Sequence, residues 1–158
     1  IRRSVEVFGR GRVFVHLIFG LGESEEEFVR AMISAYEEGA DTALFPFTPI
    51  PGTPMEGREV ANIERFRVIQ LLRFLISRGF RLEDIAEIEG GRIRILEIPK
   101  VSGLESAFLT SGCPGCNRPF YTGSPRKVYN YPSMRLLRRD LSIIREQLRS
   151  QGILLDLR

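Results

Sequence analysis

Apolar and polar positions along the chain fall into blocks with distinct periods. Residues 12–19 form a nearly continuous apolar run with the β-branched Val13, Val15 and Ile18, and it stops at Gly20-Leu21-Gly22. Such a run fits a strand buried on both faces, as in a parallel sheet. Ser24, followed three positions on by Glu27, has capping-box spacing, and Glu25, Glu26 and Glu27 suit the first turn of a helix. Phe28, Val29, Met32, Ile33 and Tyr36 then recur at helical spacing, which predicts a helix to about Glu38 with Gly39 as its stop. Asp41–Phe47 reads as a second buried strand, so the order is strand, helix, strand. Three prolines and a glycine in Thr48–Pro54 exclude helix and central strand there and predict a stiff loop.

Asn62 can cap a further helix that runs to about Arg78, with Phe66, Ile69, Leu72, Leu75 and Ile76 facing inward and Gly79 ending it. Leu82–Ile88 fits helix and strand equally, whereas Arg92–Ile98 alternates and predicts a strand closed by Pro99. Thr110–Tyr131 is loop-rich and holds both cysteines. Pro132 suits the first turn of a last helix, roughly residues 133–150, with Leu137, Leu141, Ile144 and Leu148 on one face. No internal repeat or low-complexity tract appears. The expected domain organisation is 1–80 as strand–helix units and 81–158 as an extension.

Composition narrows the function classes. At 158 residues, 43% hydrophobic and 27% charged, the chain is in the globular range. No apolar run reaches the roughly 18 residues of a membrane span, the start is not that of a signal peptide, and two cysteines do not make a secreted disulfide scaffold. A cytoplasmic protein without membrane partners is the expectation. The net charge is +3, and Lys100 and Lys127 are the only lysines among 23 basic residues. No basic block interleaved with aromatics appears, so nucleic acid is not an expected partner.

Ligands of parallel α/β sheets bind at the carboxyl ends of strands, and two such ends are visible. At Gly20-Leu21-Gly22-Glu23 the glycines permit close backbone approach, and the next helix start offers N–H groups. The second is Phe47–Pro54. Taken singly, each reads more readily as a rigid connection than as a ligand site. Glu23 is the one carboxylate at a strand mouth, and a helix-start role explains it. His16, the sole histidine, is mid-strand and is expected to be a core residue. No Ser-His-Asp grouping or Walker-type loop is present. Cys113-Pro114-Gly115-Cys116 presents two thiolates to one metal. Iron–sulfur ligation, a zinc or disulfide staple, and two thiols without a role all fit that spacing. Arg118 and Arg126 could hold a carboxylate or phosphate bidentately, though each alone reads as a solvated loop arginine.

Taken together, the two loops resemble the later strands of radical S-adenosylmethionine (SAM) enzymes. His16-x-Ile18-x-Gly20-x-x-Glu23 is similar to the Gly-x-Ile-x-Gly-x-x-Glu strand of that superfamily, with His16 in place of the first glycine. Pro46–Pro54 resembles the strand and Pro-Gly-Thr-Pro loop of biotin synthase and its relatives. The resemblance covers about residues 12–79. It implies an α/β fold, the C-terminal part of a partial (β/α)6 TIM-like barrel, followed here by a loop-rich cysteine-containing extension ending in a helix. It also implies a [4Fe–4S] cluster and SAM, cleaved reductively to a 5′-deoxyadenosyl radical that removes a substrate hydrogen. By resemblance, Ile18, Gly20 and Gly22 lie beside the adenine, and Phe47 and Thr48 meet the nucleoside.

The Cys-x3-Cys-x2-Cys triad that holds the SAM cluster is absent from this sequence. That triad belongs after an earlier strand, and the chain opens on Ile1 without Met. The expectation is therefore the C-terminal portion of a longer enzyme, with the remainder of the barrel or a companion radical SAM subunit as partner. A half barrel also leaves the outer edge of its first strand unpaired. Thr110–Tyr121 resembles the C-terminal signature of archaeal biotin-synthase-related proteins of split lipoyl-synthase type. By that resemblance Cys113 and Cys116 are ligands of an auxiliary [4Fe–4S] cluster, and Ser111 is a possible oxygen ligand. The arginine-rich last helix reads first as a solvated face, and otherwise as a docking face for an acidic partner, which would suit an enzyme acting on a lipoyl-carrier protein. The implied activity is sulfur insertion at unactivated carbon. The alternatives are another radical SAM chemistry (methylation, methylthiolation or rearrangement) and a non-catalytic, zinc-stapled binding module.

Overall fold

The computed structural model describes residues 1–113, 115–116, 127–155 and 157. A short helix α1 (Arg2–Phe8) leads into strand β1 (Phe14–Phe19), helix α2 (Glu25–Glu37) and strand β2 (Asp41–Pro46). β1 and β2 pair in parallel, with His16 opposite Ala43 and Ile18 opposite Phe45. The joints are set locally. Ser24 and Glu27 form the reciprocal capping box, in which the Ser24 hydroxyl accepts the Glu27 N–H and the Glu27 carboxylate accepts the Ser24 N–H. A cap of this kind contributes about 1 kcal/mol.

Helix α3 (Ile63–Ser77) is capped by Asn62, whose side chain accepts the Arg65 N–H at 2.7 Å. It is buried almost all round. Phe66, Ile69 and Leu72 join Phe28 and Met32 of α2, and Phe19 and Leu44 of the strands, in one core. Phe108, Tyr129, Leu137 and Ile144, from the second half of the sequence, belong to that same core. A single turn α4 (Leu82–Ile85) resolves the ambiguous segment and runs directly into strand β3 (Ala86–Glu89). Strand β4 (Arg92–Ile95) pairs with it antiparallel. This hairpin is tied to the main unit by Glu25, whose carboxylate pairs with Arg65 and accepts the Ile93 N–H at 2.8 Å. A 3₁₀ turn (Leu104–Phe108) and helices α5 (Met134–Arg139) and α6 (Leu141–Arg149) complete the described chain. Among the described residues no helix is long and apolar enough to cross a membrane.

Several sequence expectations require correction. Among the described residues β1 is covered on one face only. Leu17 and Phe19 turn toward the helices, while His16 and Ile18 on the other face are exposed. His16 is thus not a core residue. Its ring lies 5.1 Å from that of Phe45 on the helix-free face. Both helices packed on the sheet, α2 and α3, lie on its other side, so the apolarity of β1 reports a face that these elements do not cover. The last helix is broken at Asp140. There the backbone leaves helical geometry (φ −107°), and the Asp140 carbonyl accepts the Ile144 N–H to start α6. Pro132 lies outside the helix, which Ser133 caps. β4 ends at Ile95 rather than Ile98.

The sheet edges are unequal. The Asp41 N–H donates to the Val13 carbonyl and the Phe47 N–H to the Phe19 carbonyl, so odd-numbered positions of both strands face each other. The outward positions of β2 are then Thr42, Leu44 and Pro46. Thr42 N–H donates to Asp41 Oδ1 at 2.7 Å, Leu44 N–H donates to Ser111 Oγ at 3.0 Å, and Pro46 has no N–H. The outer edge of β1, at Phe14, His16 and Ile18, pairs with no strand among the described residues.

Candidate functional site

The carboxyl ends of β1 and β2 are joined into one surface. Beyond β1 the chain turns at Gly20, where φ is +98°, and the Glu23 carboxylate folds back to accept the Gly20 N–H at 2.7 Å and the Leu21 N–H at 2.8 Å. Glu23 therefore pins the loop and does not cap α2, a role that Ser24 and Glu27 fill. The α2 start is likewise occupied: Glu26 N–H donates to the Gly91 carbonyl at 3.1 Å, and Glu27 N–H to Ser24 Oγ. The expectation of free N–H groups for a ligand fails at these positions.

Beyond β2, Phe47 is buried and Thr48 half-buried. The loop from Thr48 to Val60 is braced from within: Gly52 N–H donates to the Glu56 carboxylate at 2.6 Å, and Thr53 Oγ1 donates to the Ile50 carbonyl at 2.8 Å. It returns to the sheet at Ala61, whose N–H donates to the Phe47 carbonyl at 3.3 Å. A Cβ on Gly20 would stand 3.1 Å from the Ala61 Cβ. Arg58 reaches across from the same loop, donates to the Leu21 carbonyl, and occupies the space a Cβ on Gly22 would need. The structure thus brings together Gly20, Gly22, Phe47 and Thr48, while Ile18 is exposed on the helix-free face just below them. Arg58 was not singled out in the sequence. Its one signal is that it is a cation four positions beyond the proline-rich loop at the second strand end.

The cysteines lie on the helix-free face of the sheet as well. Gly112 sits over Ala43, since its missing Cβ would stand 3.3 Å from the Ala43 Cβ and 3.7 Å from the Cys116 Sγ. Ala43 shares its face with His16 and Phe45. Cys113 is exposed and Cys116 half-buried, both are free thiols, and Cys116 N–H donates to the Cys113 carbonyl at 2.9 Å, closing a turn. Two thiols in such a turn supply half of a metal or cluster site. Among the described residues no third Cys, His, Asp or Glu gathers with them. Ser111 uses its hydroxyl on Leu44 and is buried, which counts against its role as an oxygen ligand. Arg118 and Arg126 lie outside the described residues.

Behind this face sits a buried cation that sequence reasoning missed. Arg67 is fully buried, and burial lowers its pKa to about 10, so it remains charged at neutral pH. Its guanidinium donates to Gln147 at 2.9 Å, to Gln70 at 2.7 Å and to the Val128 and Tyr129 carbonyls, and it lies over the rings of Phe108 and Tyr131. These bonds offset the cost of burying a charge without a carboxylate. Burial also pushes the Tyr131 phenol up to about 12. The available signal was a polar pair, Arg67 and Gln70, three apart in the otherwise apolar run from Phe66 to Leu72. A separate cleft of about 280 Å³, lined by Arg65, Ile93, Ser150 and Gln151 among others, involves neither the strand mouths nor the cysteines.

Over 103 aligned residues the chain is 34% identical to a biotin synthase from Fusobacterium nucleatum subsp. nucleatum, covering 60% of this chain and 27% of that protein. The chain therefore spans little more than a quarter of the length of the curated relative it matches. No protein-family model matches the chain. No solved structure matches it.

Proposed function

We propose that the chain is the C-terminal part of a radical SAM barrel whose reaction is sulfur insertion of the biotin-synthase or lipoyl-synthase kind. The observation that carries this reading is the similarity to a biotin synthase over 60% of the chain. It is supported by two βα loops, in the order the motifs require, that meet at the carboxyl ends of parallel neighbours. The lipoyl-type alternative rests on the resemblance of Thr110–Tyr121 alone. A SAM-binding cluster does not fit this chain's own residues, because the cysteine triad is absent. It must be held by the remainder of the barrel or by a companion subunit, and the open edge of β1 is the side on which a further strand would join. In such an enzyme, SAM bound to the reduced cluster supplies the radical that attacks unactivated carbon. The residues here have simpler tasks. Glu23 pins the Gly20–Gly22 loop, Arg58 ties that loop to the Phe47–Ala61 loop, and Phe47 and Thr48 would wall the nucleoside. Cys113 and Cys116 supply two thiolates to an auxiliary cluster completed from elsewhere.

The test assembles the protein anaerobically with the polypeptide that carries the triad. It measures 5′-deoxyadenosine release from SAM under reduction, together with iron, sulfide and zinc, beside a Cys113→Ala/Cys116→Ala variant. The expected result is 5′-deoxyadenosine formation and loss of one cluster's iron in the variant. Absence of 5′-deoxyadenosine defeats the radical SAM reading. Unchanged iron in the variant, or zinc in its place, defeats the sulfur-donor role and leaves the pair as a staple.

A further inference from the structure

Ser111 and Asn130 bracket the cysteine-bearing segment, and both are bonded to a single residue of β2. Leu44 N–H donates to Ser111 Oγ at 3.0 Å, and Asn130 Nδ2 donates to the Leu44 carbonyl at 3.1 Å. The Asn130 side is locked in turn. Asn130 Oδ1 accepts from Gln70 Nε2 at 2.8 Å, Gln70 Oε1 accepts from Arg67, and Arg67 also holds the Val128 and Tyr129 carbonyls. All four polar side chains are buried. The neck is closed further by Thr110 N–H on the Tyr131 carbonyl at 2.8 Å and Tyr131 N–H on the Phe108 carbonyl at 2.9 Å. Immediately after Ser111, Gly112 seats on Ala43, and the Cys116 sulfur lies against Gly112. Cys113 is exposed, one residue further along.

We propose that Ser111 is a positioning residue for the Cys116 thiol: its bond to Leu44 seats Gly112 on Ala43 and thereby fixes where the thiol pair faces on the helix-free side of the sheet. The functional half of this inference rests on reading Cys113 and Cys116 as ligands. The geometric half does not. Two thiols positioned in advance bind a metal or cluster without first ordering the loop, which lowers the cost of ligation. The effect is selective, because the contact runs to Cys116. Cys113 is already exposed, so general loosening of the fold is recognised instead by faster amide exchange across α2 and α3.

The test measures alkylation rates of Cys113 and Cys116 by mass spectrometry on the full protein purified in chelating buffer, so that bound metal does not mask either thiol. In Ser111→Ala the Cys116 rate is expected to rise about fivefold or more while that of Cys113 changes less than about twofold, and Ser111→Thr, which keeps the hydroxyl, restores the original ratio. An unchanged Cys116 rate, an equal rise at both cysteines, or a Cys116 rise accompanied by faster amide exchange across α2 and α3 overturns the proposal. If Ser111→Ala does not fold, Ala43→Val, which adds bulk beneath Gly112, is held to the same criterion. Iron and zinc analysis of the unaltered protein separates the two readings. A pair that holds neither metal defeats the ligand assignment and leaves the alkylation result standing, whereas a metal-bound pair with unselective alkylation does the reverse.

Discussion

Alanine at Gly20 is a direct probe of whether the two strand mouths form one rigid surface. At φ +98° an added side chain is strained, at about 1–2 kcal/mol. The new Cβ also meets the Ala61 Cβ at 3.1 Å and its Cα at 3.3 Å, inside normal contact distance. Ala61 cannot move aside freely. Its N–H donates to Phe47, its carbonyl accepts the Tyr129 hydroxyl at 2.6 Å, and it is buried. Overpacking of this kind costs about 1–3 kcal/mol, so Gly20→Ala should cost about 2–5 kcal/mol in all. Two internal controls separate the contributions. Gly52, at φ +79° with nothing within 4 Å, carries the backbone strain alone, and alanine there should cost about 1–2 kcal/mol. Gly57 has neither positive φ nor a neighbour, and alanine there should be neutral or stabilise by about 0.4–1 kcal/mol. Urea denaturation of the three variants in the same protein reads the differences. If Gly20→Ala costs no more than Gly52→Ala, within about 0.5 kcal/mol, the close approach of Ala61 is not rigid and the joined-mouth argument fails.

Two further outcomes follow from the same geometry. Glu23→Gln replaces one acceptor oxygen with an NH2 that faces a donor, so the Gly20–Gly22 loop should loosen at a cost of about 1–2 kcal/mol, seen as faster amide exchange at Gly20 and Leu21; unchanged exchange there would refute the pinning role. The Tyr131 phenol should titrate at about 12, found by subtracting the tyrosinate absorbance of Tyr131→Phe from that of the unaltered protein. Because the folded state then keeps a proton that the unfolded chain sheds near 10, this group weakens folding as pH rises from about 10 to about 12; titration at an ordinary tyrosine value would contradict its burial.

What the sequence made legible was local. The Ser24–Glu27 box, the Asn62 cap and the stops at Gly39 and Gly79 fix α2 and α3 through neighbours a few positions apart, and the structure agrees with them nearly to the residue. Features that depend on distant partners were not legible. α1 has only seven residues, too few to hold as an isolated helix, and is anchored by Val5 burial and by the pairing of Arg2 with Glu38. The exposure of His16 depends on what covers the sheet, which periodicity does not encode. The break at Asp140 is a different case: it is local, with the carboxylate held below the usual range chiefly by the neighbouring Arg139, but it interrupts a continuous apolar spacing that hides it from pattern reading. For the site, the glycine and proline spacing located the two mouths. Arg58 and Arg67 act through backbone atoms of other segments, and spacing carries no trace of that. Glu23 acts on Gly20 and Leu21 in its own loop, where its place before Ser24 reads equally as a helix start.

The unequal edges of the β1–β2 sheet set an upper limit on how it can grow. A sheet with two open edges is a monomer in the polymer chemist's sense: each added strand regenerates the site for the next, and the product is a fibre. Here the donors along the outer edge of β2 are spent on Asp41 and Ser111, or missing at Pro46, so only the β1 side can propagate. A unit with one reactive end terminates at its first addition. Two copies that pair through β1 stop at a dimer, because neither β2 end offers a template for another. A strand from the same polypeptide or a companion brings its own outer edge, and growth then continues from that strand and not from β2.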